Sequence, residues 1–133
     1  MLLESPPREA HSLLYATYFV DHLPDRELAQ RLFDVVAEAL PKASFFIPQA
    51  PVEDYGLTPL HFASSPASNW RLLFTDAQIE AHLQDLLDRQ QPDGGWPISW
   101  DAPGPAAYNE WRGRWTLEAI DTLVAYGVVK PGA

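Results

Sequence analysis

The sequence predicts an all-α fold in which two antiparallel helical hairpins are joined by a long, ordered, proline-rich connection. Four stretches carry apolar residues at helical spacing, and most of the 13 prolines lie between those stretches. A chain of 133 residues can bury a hydrophobic core but is too short for two ordinary domains. We therefore expect a single domain over residues 1–133, with hairpins at 8–41 and 75–127 and the connection at 42–74.

The first hairpin begins after Ser5, Pro6 and Pro7, because proline is tolerated in the first turn of a helix. The helix expected at about 8–22 has almost no polar side, which indicates burial on several sides or an interface with another chain. A second helix carries apolar residues at helical spacing and stops at Pro41. These two helices are expected to pack as a hairpin.

The connection at 42–74 has no helical periodicity and is punctuated by prolines. A structureless segment of this length is unusual in a compact domain, so we expect it to be held against the helices by apolar anchors. Disordered segments are poor in such residues, which favours an ordered wrap. The candidate anchors are Phe45, Phe46, Ile47, Tyr55, Leu57, Leu60, Phe62 and Trp70.

The second hairpin begins with a clear helix-start signal, because Thr75 and Gln78 have the spacing of a capping box. This third helix should end near residue 90. A fourth helix is expected at about 109–126, with Gly127 as its stop. Gly113 inside this helix suggests that another helix packs closely there, because glycine costs about 1 kcal/mol relative to alanine.

Residues 90–96, which read Gln-Gln-Pro-Asp-Gly-Gly-Trp and are called the motif below, form the most specific stretch of the chain. Gly94 and Gly95 can take positive φ values, and Asp93 can accept from backbone N–H groups in the turn. The Gln90 amide can donate to a helix-end carbonyl, accept from a neighbouring helix start and lie against the Trp96 indole. The motif is thus predicted to tie one hairpin to the next, with Trp96 as a buried anchor.

Gln90, Asp93, Gly94, Gly95 and Trp96 at a helix end resemble the QW repeat of squalene-hopene and oxidosqualene cyclases. The wider terpenoid-cyclase and protein-prenyltransferase family has an α/α toroid of paired helices, so the resemblance implies a partial toroid. It covers the motif and, more loosely, residues 75–127. The stretch from Glu110 to Gly113 and the following helix also look like small bacterial prenyltransferase-like proteins.

The catalytic groups of that family are missing from this chain. Cyclases of class II use an Asp-x-Asp-Asp acid, which the sequence lacks, and Asp85 and Asp88 are a poor substitute for an aspartate-rich magnesium motif. Helical carboxylates three residues apart are typical of a solvated face. Protein prenyltransferases hold zinc through Asp, Cys and His, but cysteine is absent and the histidines show no ligand spacing. We therefore expect no metal and no cofactor, and the missing groups weigh against enzyme activity without deciding it.

A ligand site remains an open alternative at the tryptophan-rich end of the chain. Trp100, Trp111 and Trp115 could line an apolar pocket, or they could belong to the core. Glu110 and Arg112 could bind the polar head of a ligand, or they could form a structural ion pair that fixes the nearby loop.

The net charge of −9 argues against nucleic acid, because binding to phosphates depends on clustered Lys and Arg. No apolar stretch is long enough to cross a bilayer. Residues 1–7 lack the basic start and apolar centre of a secretion signal, so we expect a cytoplasmic protein.

Two functions follow from these patterns. The first is a non-catalytic binding or assembly module that uses its apolar first helix to form a homo-oligomer or to bind a partner protein. The second is a terpenoid-cyclase-like or prenyltransferase-like protein that binds or acts on an isoprenoid or another apolar small molecule.

Overall fold

The computed structural model describes residues 6–53, 55–97 and 103–129, and these ranges contain five α-helices and no β-strand. The all-α prediction is therefore confirmed for the described part of the chain. The helices are α1 (Ala10–Asp21), α2 (Arg26–Ala39), α3 (Pro59–Phe62), α4 (Asp76–Asp88) and α5 (Pro105–Ala125). Two short 3-10 helices, Leu40–Lys42 and Asn69–Leu73, lie after α2 and before α4.

Helix α1 buries one side and exposes the other. The Glu9 carboxylate caps its start by accepting from the backbone N–H groups of His11 and Ser12. Its buried side consists of Ala10, Leu13, Ala16, Thr17 and Val20. The expected burial on several sides is thus not found within this chain, because three aromatic residues that we call the aromatic face are exposed to solvent. They are Tyr15, Tyr18 and Phe19.

Helix α2 packs against α1 and is capped by the Asp25 side chain, which accepts from the N–H of Leu28 at 3.0 Å. The indole of Trp70, from the second 3-10 helix, closes over this pair. It stacks on Phe33 with ring centres 4.7 Å apart and donates through Nε1 to Asp21 at 2.9 Å. One tryptophan of the connection therefore contacts both α1 and α2.

The proline-rich connection is held to the helices by backbone hydrogen bonds as well as by side chains. Ser44 exchanges two bonds of 2.9 Å with Arg8 and Ala10, and Leu57 exchanges two bonds of 2.7 Å with Phe45 and Ile47. The buried anchors are Leu57, Leu60, Phe62 and Trp70. Phe45 and Tyr55 are more exposed, at 55% and 42%, but both rings contact His11 of α1, and Tyr55 stacks on it with ring centres 5.6 Å apart.

Helix α4 starts with the capping box that the sequence predicts. The N–H of Gln78 donates to the Thr75 hydroxyl at 3.1 Å, and the N–H of Thr75 donates to the Gln78 amide oxygen at 3.0 Å. The buried His82 donates through Nε2 to the carbonyl of Pro48 at 2.9 Å. The backbone of α4 approaches α3 more extensively than it approaches α5.

Helix α5 begins at Pro105, earlier than expected, because Pro105 suits the first helical position and Gly104 supplies the positive φ of 88° before it. Its buried residues include Ala119 and Leu123. At its end, the Tyr126 hydroxyl donates to the carbonyl of Ala63 at 2.5 Å. No helix in the described ranges has both the length and the apolar composition that a bilayer crossing requires.

Gly113 does not mark a close contact inside this chain, contrary to the expectation from the sequence. Among the described residues, a Cβ placed on Gly113 would meet no atom within 4 Å outside its own helix backbone, and the residue is exposed in the middle of α5. Packing among the described residues therefore does not require glycine at this position.

We expect Gly113→Ala to raise the free energy of unfolding by about 1 kcal/mol, because alanine is the better helix former and meets nothing there. The measurement is urea denaturation followed by circular dichroism. Gly127→Ala is the control: its φ of 75° lies in the left-handed region, so the same change should cost about 1–2 kcal/mol. A loss of stability for Gly113→Ala would contradict the conclusion that a side chain at residue 113 has free space.

Candidate functional site

The motif forms a tight turn directly after α4. Gly94 has a φ of 89°, which glycine tolerates, and its N–H donates to the carbonyl of Gln91 at 2.8 Å. The N–H of Gln91 donates to the carbonyl of Gly95 at 2.7 Å, and the N–H of Gly95 donates to the Asp93 carboxylate at 3.0 Å. The Gln90 amide nitrogen donates to the carbonyl of Gly94 at 2.9 Å. The turn is thus closed by its own hydrogen bonds.

Two details differ from the sequence-based expectation. The Gln90 amide donates within the turn, whereas we expected it to bond a helix-end carbonyl and a neighbouring helix start. Gly95 is not among the glycines with positive φ. Its lack of a side chain is needed for another reason, because a Cβ there would lie 2.7 Å from Nη2 of Arg112.

Trp96 joins the end of α4 to the middle of α5. Its side chain is 2% exposed, and its Nε1 donates to the carbonyl of Leu86 in the last turn of α4 at 2.6 Å. Its backbone N–H donates to the Thr116 hydroxyl on α5 at 3.0 Å. The indole therefore satisfies a helix-end carbonyl while it fills the space between the two helices.

Arg112 forms its ion pair with Asp93 of the motif, and not with Glu110 as the sequence suggested. Nη1 and Nη2 donate to the two carboxylate oxygens at 2.9 and 2.5 Å, which is the two-pronged geometry that arginine favours. These bonds, followed by the bond from the N–H of Gly95, lower the pKa of Asp93 to about 2. The neighbouring carboxylate also raises the pKa of Arg112.

An open groove of about 460 Å³ runs beside this ion pair, between the motif and α5. Its walls offer a carboxylate, a guanidinium, an amide and a hydroxyl beside one apolar side chain. The lining residues are Asp93, Gly94, Gly95, Asn109, Arg112, Gly113, Thr116 and Leu117.

Glu110, Trp111 and Trp115 of the suggested ligand site do not line this groove. Trp115 points to α3, where its ring stacks on His61 at 5.4 Å with an interplanar angle of 8°. Trp111 is 42% exposed, with the Arg114 guanidinium 5.0 Å from its ring centre, and Glu110 is exposed. Trp100 lies outside the described residues. The structure thus brings Arg112 to the motif but places Trp111 and Trp115 elsewhere.

His61 caps the start of α3 and has a lowered pKa, and the sequence predicted neither property. Its Nδ1 accepts from the N–H of Thr58 at 2.9 Å, so it takes the place that Glu or Gln has in a capping box. Burial lowers the pKa of His61 to about 4, with smaller contributions from the charges of His11 and His82. The spacing of Thr58 and His61 was the available signal, but a capping box with His is not the usual pattern.

The carboxylates considered for magnesium have protein partners. Asp85 accepts from Nε of Arg89 at 2.9 Å and from the N–H of Val52 at 3.3 Å, so it ties the connection to α4. Asp88 accepts from the Gln84 amide at 2.8 Å. Among residues 6–53, 55–97 and 103–129, no three His, Cys, Asp or Glu side chains gather in a way that could hold a metal ion.

Comparison of the chain with protein-family models, with curated proteins and with solved structures finds no match. The resemblance of the motif to the QW repeat therefore stays a prediction from five residues. The geometry itself gives the motif a clear structural role, because its Trp96 and Asp93 side chains hold α5 to the end of α4.

We expect Trp96→Ala to lower the free energy of unfolding by about 3–5 kcal/mol, as for other buried aromatic truncations. Leu72→Ala is the control, because the Leu72 side chain is 82% exposed and its loss should cost no more than about 0.5 kcal/mol. Chemical denaturation of both variants provides the measurement. Equal effects would mean that Trp96 is not the anchor of α5.

His61 should make the protein less stable as the pH falls. Its folded-state pKa of about 4 lies below the ordinary value of 6.5, so the unfolded chain binds the proton first. Stability is thus lost progressively from about pH 6.5 to pH 4. His61→Gln keeps an acceptor for the N–H of Thr58 but does not titrate, so its denaturation midpoint should fall less over this range. The exposed His22→Gln is the control, and an unchanged pH profile for His61→Gln would exclude this role.

Proposed function

We propose that this protein is a non-catalytic assembly module in which two copies pair through the aromatic face of α1. The observation that carries the proposal is the exposure of three aromatic rings on one helix: Tyr15 at 71%, Tyr18 at 51% and Phe19 at 56%. Monomeric proteins rarely leave such rings together in water, and clustered apolar patches are typical of interaction sites.

The composition of α1 supports a protein partner. Residues from Ala10 to Val20 include no Asp, Glu, Lys or Arg, and Tyr and Phe are enriched in the buried centres of interfaces. The rings of Tyr15 and Tyr18 are already in edge contact, with centres 6.3 Å apart. Burial, followed by the charge of Glu118, raises the pKa of Tyr18, so that carboxylate of α5 borders the face.

The charge of the chain favours a second copy as the occupant of this face. Two molecules with a net charge of −9 repel each other, and an uncharged contact region keeps that repulsion away from the interface. A basic partner would gain most from the acidic surfaces elsewhere on the protein, because the three residues of the face are uncharged and Glu118 lies only at its border.

The scaffold that we propose is a partial α/α toroid of two helical hairpins. The packing of α1 on α2 is consistent with the first hairpin, and the link through Trp96 is consistent with the second. In this proposal the QW-like motif holds the hairpins together and has no chemical task. The alternative, an isoprenoid-binding site, has less support because Trp111 and Trp115 have different neighbours.

The molar mass in solution tests this proposal. We expect light scattering to give a mass above that of the monomer, rising across micromolar protein concentrations. The double variant Tyr15→Ser with Phe19→Ser should lower this mass, because it removes two rings and keeps the helix. Leu72→Ser is the control, since Leu72 is 82% exposed outside α1. A wild-type protein that is monomeric throughout, or an equal effect of Leu72→Ser, would overturn the proposal.

A further inference from the structure

We propose that α5 carries a second self-association surface, on which α5 of another copy packs in the antiparallel direction. This inference rests on the proposed function, because it assumes that copies of the chain assemble. The surface, which we call the α5 stripe, consists of Gly113, Leu117, Ile120 and Val124.

The α5 stripe has the spacing of a coiled-coil seam, because its residues are alternately four and three positions apart. Leu117 is 65% exposed, Ile120 is 38% exposed and Val124 is half-buried, so the described residues leave the first three positions of the stripe open to solvent and the last one partly open. The core side of α5 is formed by other residues, among them Ala119 and Leu123. Helix α5 therefore has one apolar side against its own core and a second apolar side in water.

Gly113 supports a close approach by another helix. The residue costs about 1 kcal/mol of helix stability relative to alanine, and in the part of the chain that the structure describes nothing lies within 4 Å of the position a Cβ would take. A helix of a second copy could come close to the backbone there. A two-fold axis between Leu117 and Ile120 would set Leu117 against Ile120 of the copy and Gly113 against Val124 of the copy.

The groove extends this surface beyond the helix itself. Gly113 and Leu117 belong to both the α5 stripe and the groove of about 460 Å³, whose opposite wall is the motif. Asn109 and Thr116 lie on the same side and offer uncharged polar groups. An incoming helix would thus contact α5 on one side and the motif on the other.

The charges along one edge of the stripe point to an antiparallel second copy. Arg114 and Asp121 are exposed, and each directly follows a residue of the stripe, so both lie on the same edge. The two-fold axis of an antiparallel pair places this edge against the same edge of the copy. Arg114 of each chain then faces Asp121 of the other, which gives two symmetric ion pairs.

The length of the stripe limits the strength of this contact. Eleven helical steps from Gly113 to Val124 span about 17 Å, which is short for a helix pair on its own. Stable interfaces bury about 800 Å² on each partner, so the wall of the groove must contribute. We expect association in the micromolar range and a strong dependence on the two ion pairs.

Charge reversal tests the pairing directly. Arg114→Asp and Asp121→Arg alone should each weaken the α5 contact about tenfold, because two attractive pairs become repulsive. The double variant restores opposite charges and should recover the wild-type affinity. Arg31→Asp, on the exposed side of α2, carries the same charge change as Arg114→Asp and should have no effect. Failure of the double variant to recover affinity would overturn the inference.

A comparison of molar masses separates this surface from the aromatic face of α1. With both surfaces active, the wild-type protein should form species larger than a dimer. At protein concentrations near the dissociation constant of the α5 contact, the variant lacking Tyr15 and Phe19 should stop at a dimer, because only the α5 surface remains. Arg114→Asp should need about tenfold more protein to form species larger than the α1 dimer, and the combined variant should need about tenfold more protein to leave the monomer. If only the α1 surface exists, Arg114→Asp behaves as wild type. If only the α5 surface exists, the α1 variant behaves as wild type and Arg114→Asp shifts the monomer–dimer equilibrium about tenfold toward monomer.

Discussion

The position of α5 depends on Trp96 more than on any contact between helix backbones. The backbones of α4 and α5 make few close contacts, and the Trp96 indole packs between the two helices. The indole N–H donates to the carbonyl of Leu86, and the backbone N–H of Trp96 donates to the Thr116 hydroxyl. A buried indole needs a partner for its N–H, and a helix end needs partners for its carbonyls. The geometry satisfies both requirements with one bond.

The ion pair between Asp93 and Arg112 acts on the same joint from the outside. Asp93 receives bonds from the N–H of Gly95 and from both terminal nitrogens of Arg112, so one carboxylate links the turn to α5. The guanidinium can lie against the turn only because Gly95 has no side chain. The acidic residue, the glycine and the arginine are therefore one structural unit, although Arg112 lies 19 residues from Asp93 in sequence.

Much of the fold could be predicted from local sequence signals. Contacts between residues that are distant in sequence could not. The capping box at Thr75 and the stop at Gly127 depend on neighbours in sequence, and both occur as expected. The partner of Arg112 depends on which turn faces α5, which no local pattern records. The partial exposure of Phe45 and Tyr55 could not be predicted for a related reason, because tertiary geometry places these rings on His11 at the surface of α1 and not in the core.

Trp70 makes the packing of α1 and α2 depend on a residue that lies outside both helices. The ring that covers α1 and α2 belongs to Trp70, which follows α3 in the proline-rich connection. A chain that contained the two helices alone would leave Phe33 uncovered and Asp21 without its indole donor. The contacts of the first two helices are therefore complete only when the second 3-10 helix is in place, so a chain cut after α2 should lose part of their stability.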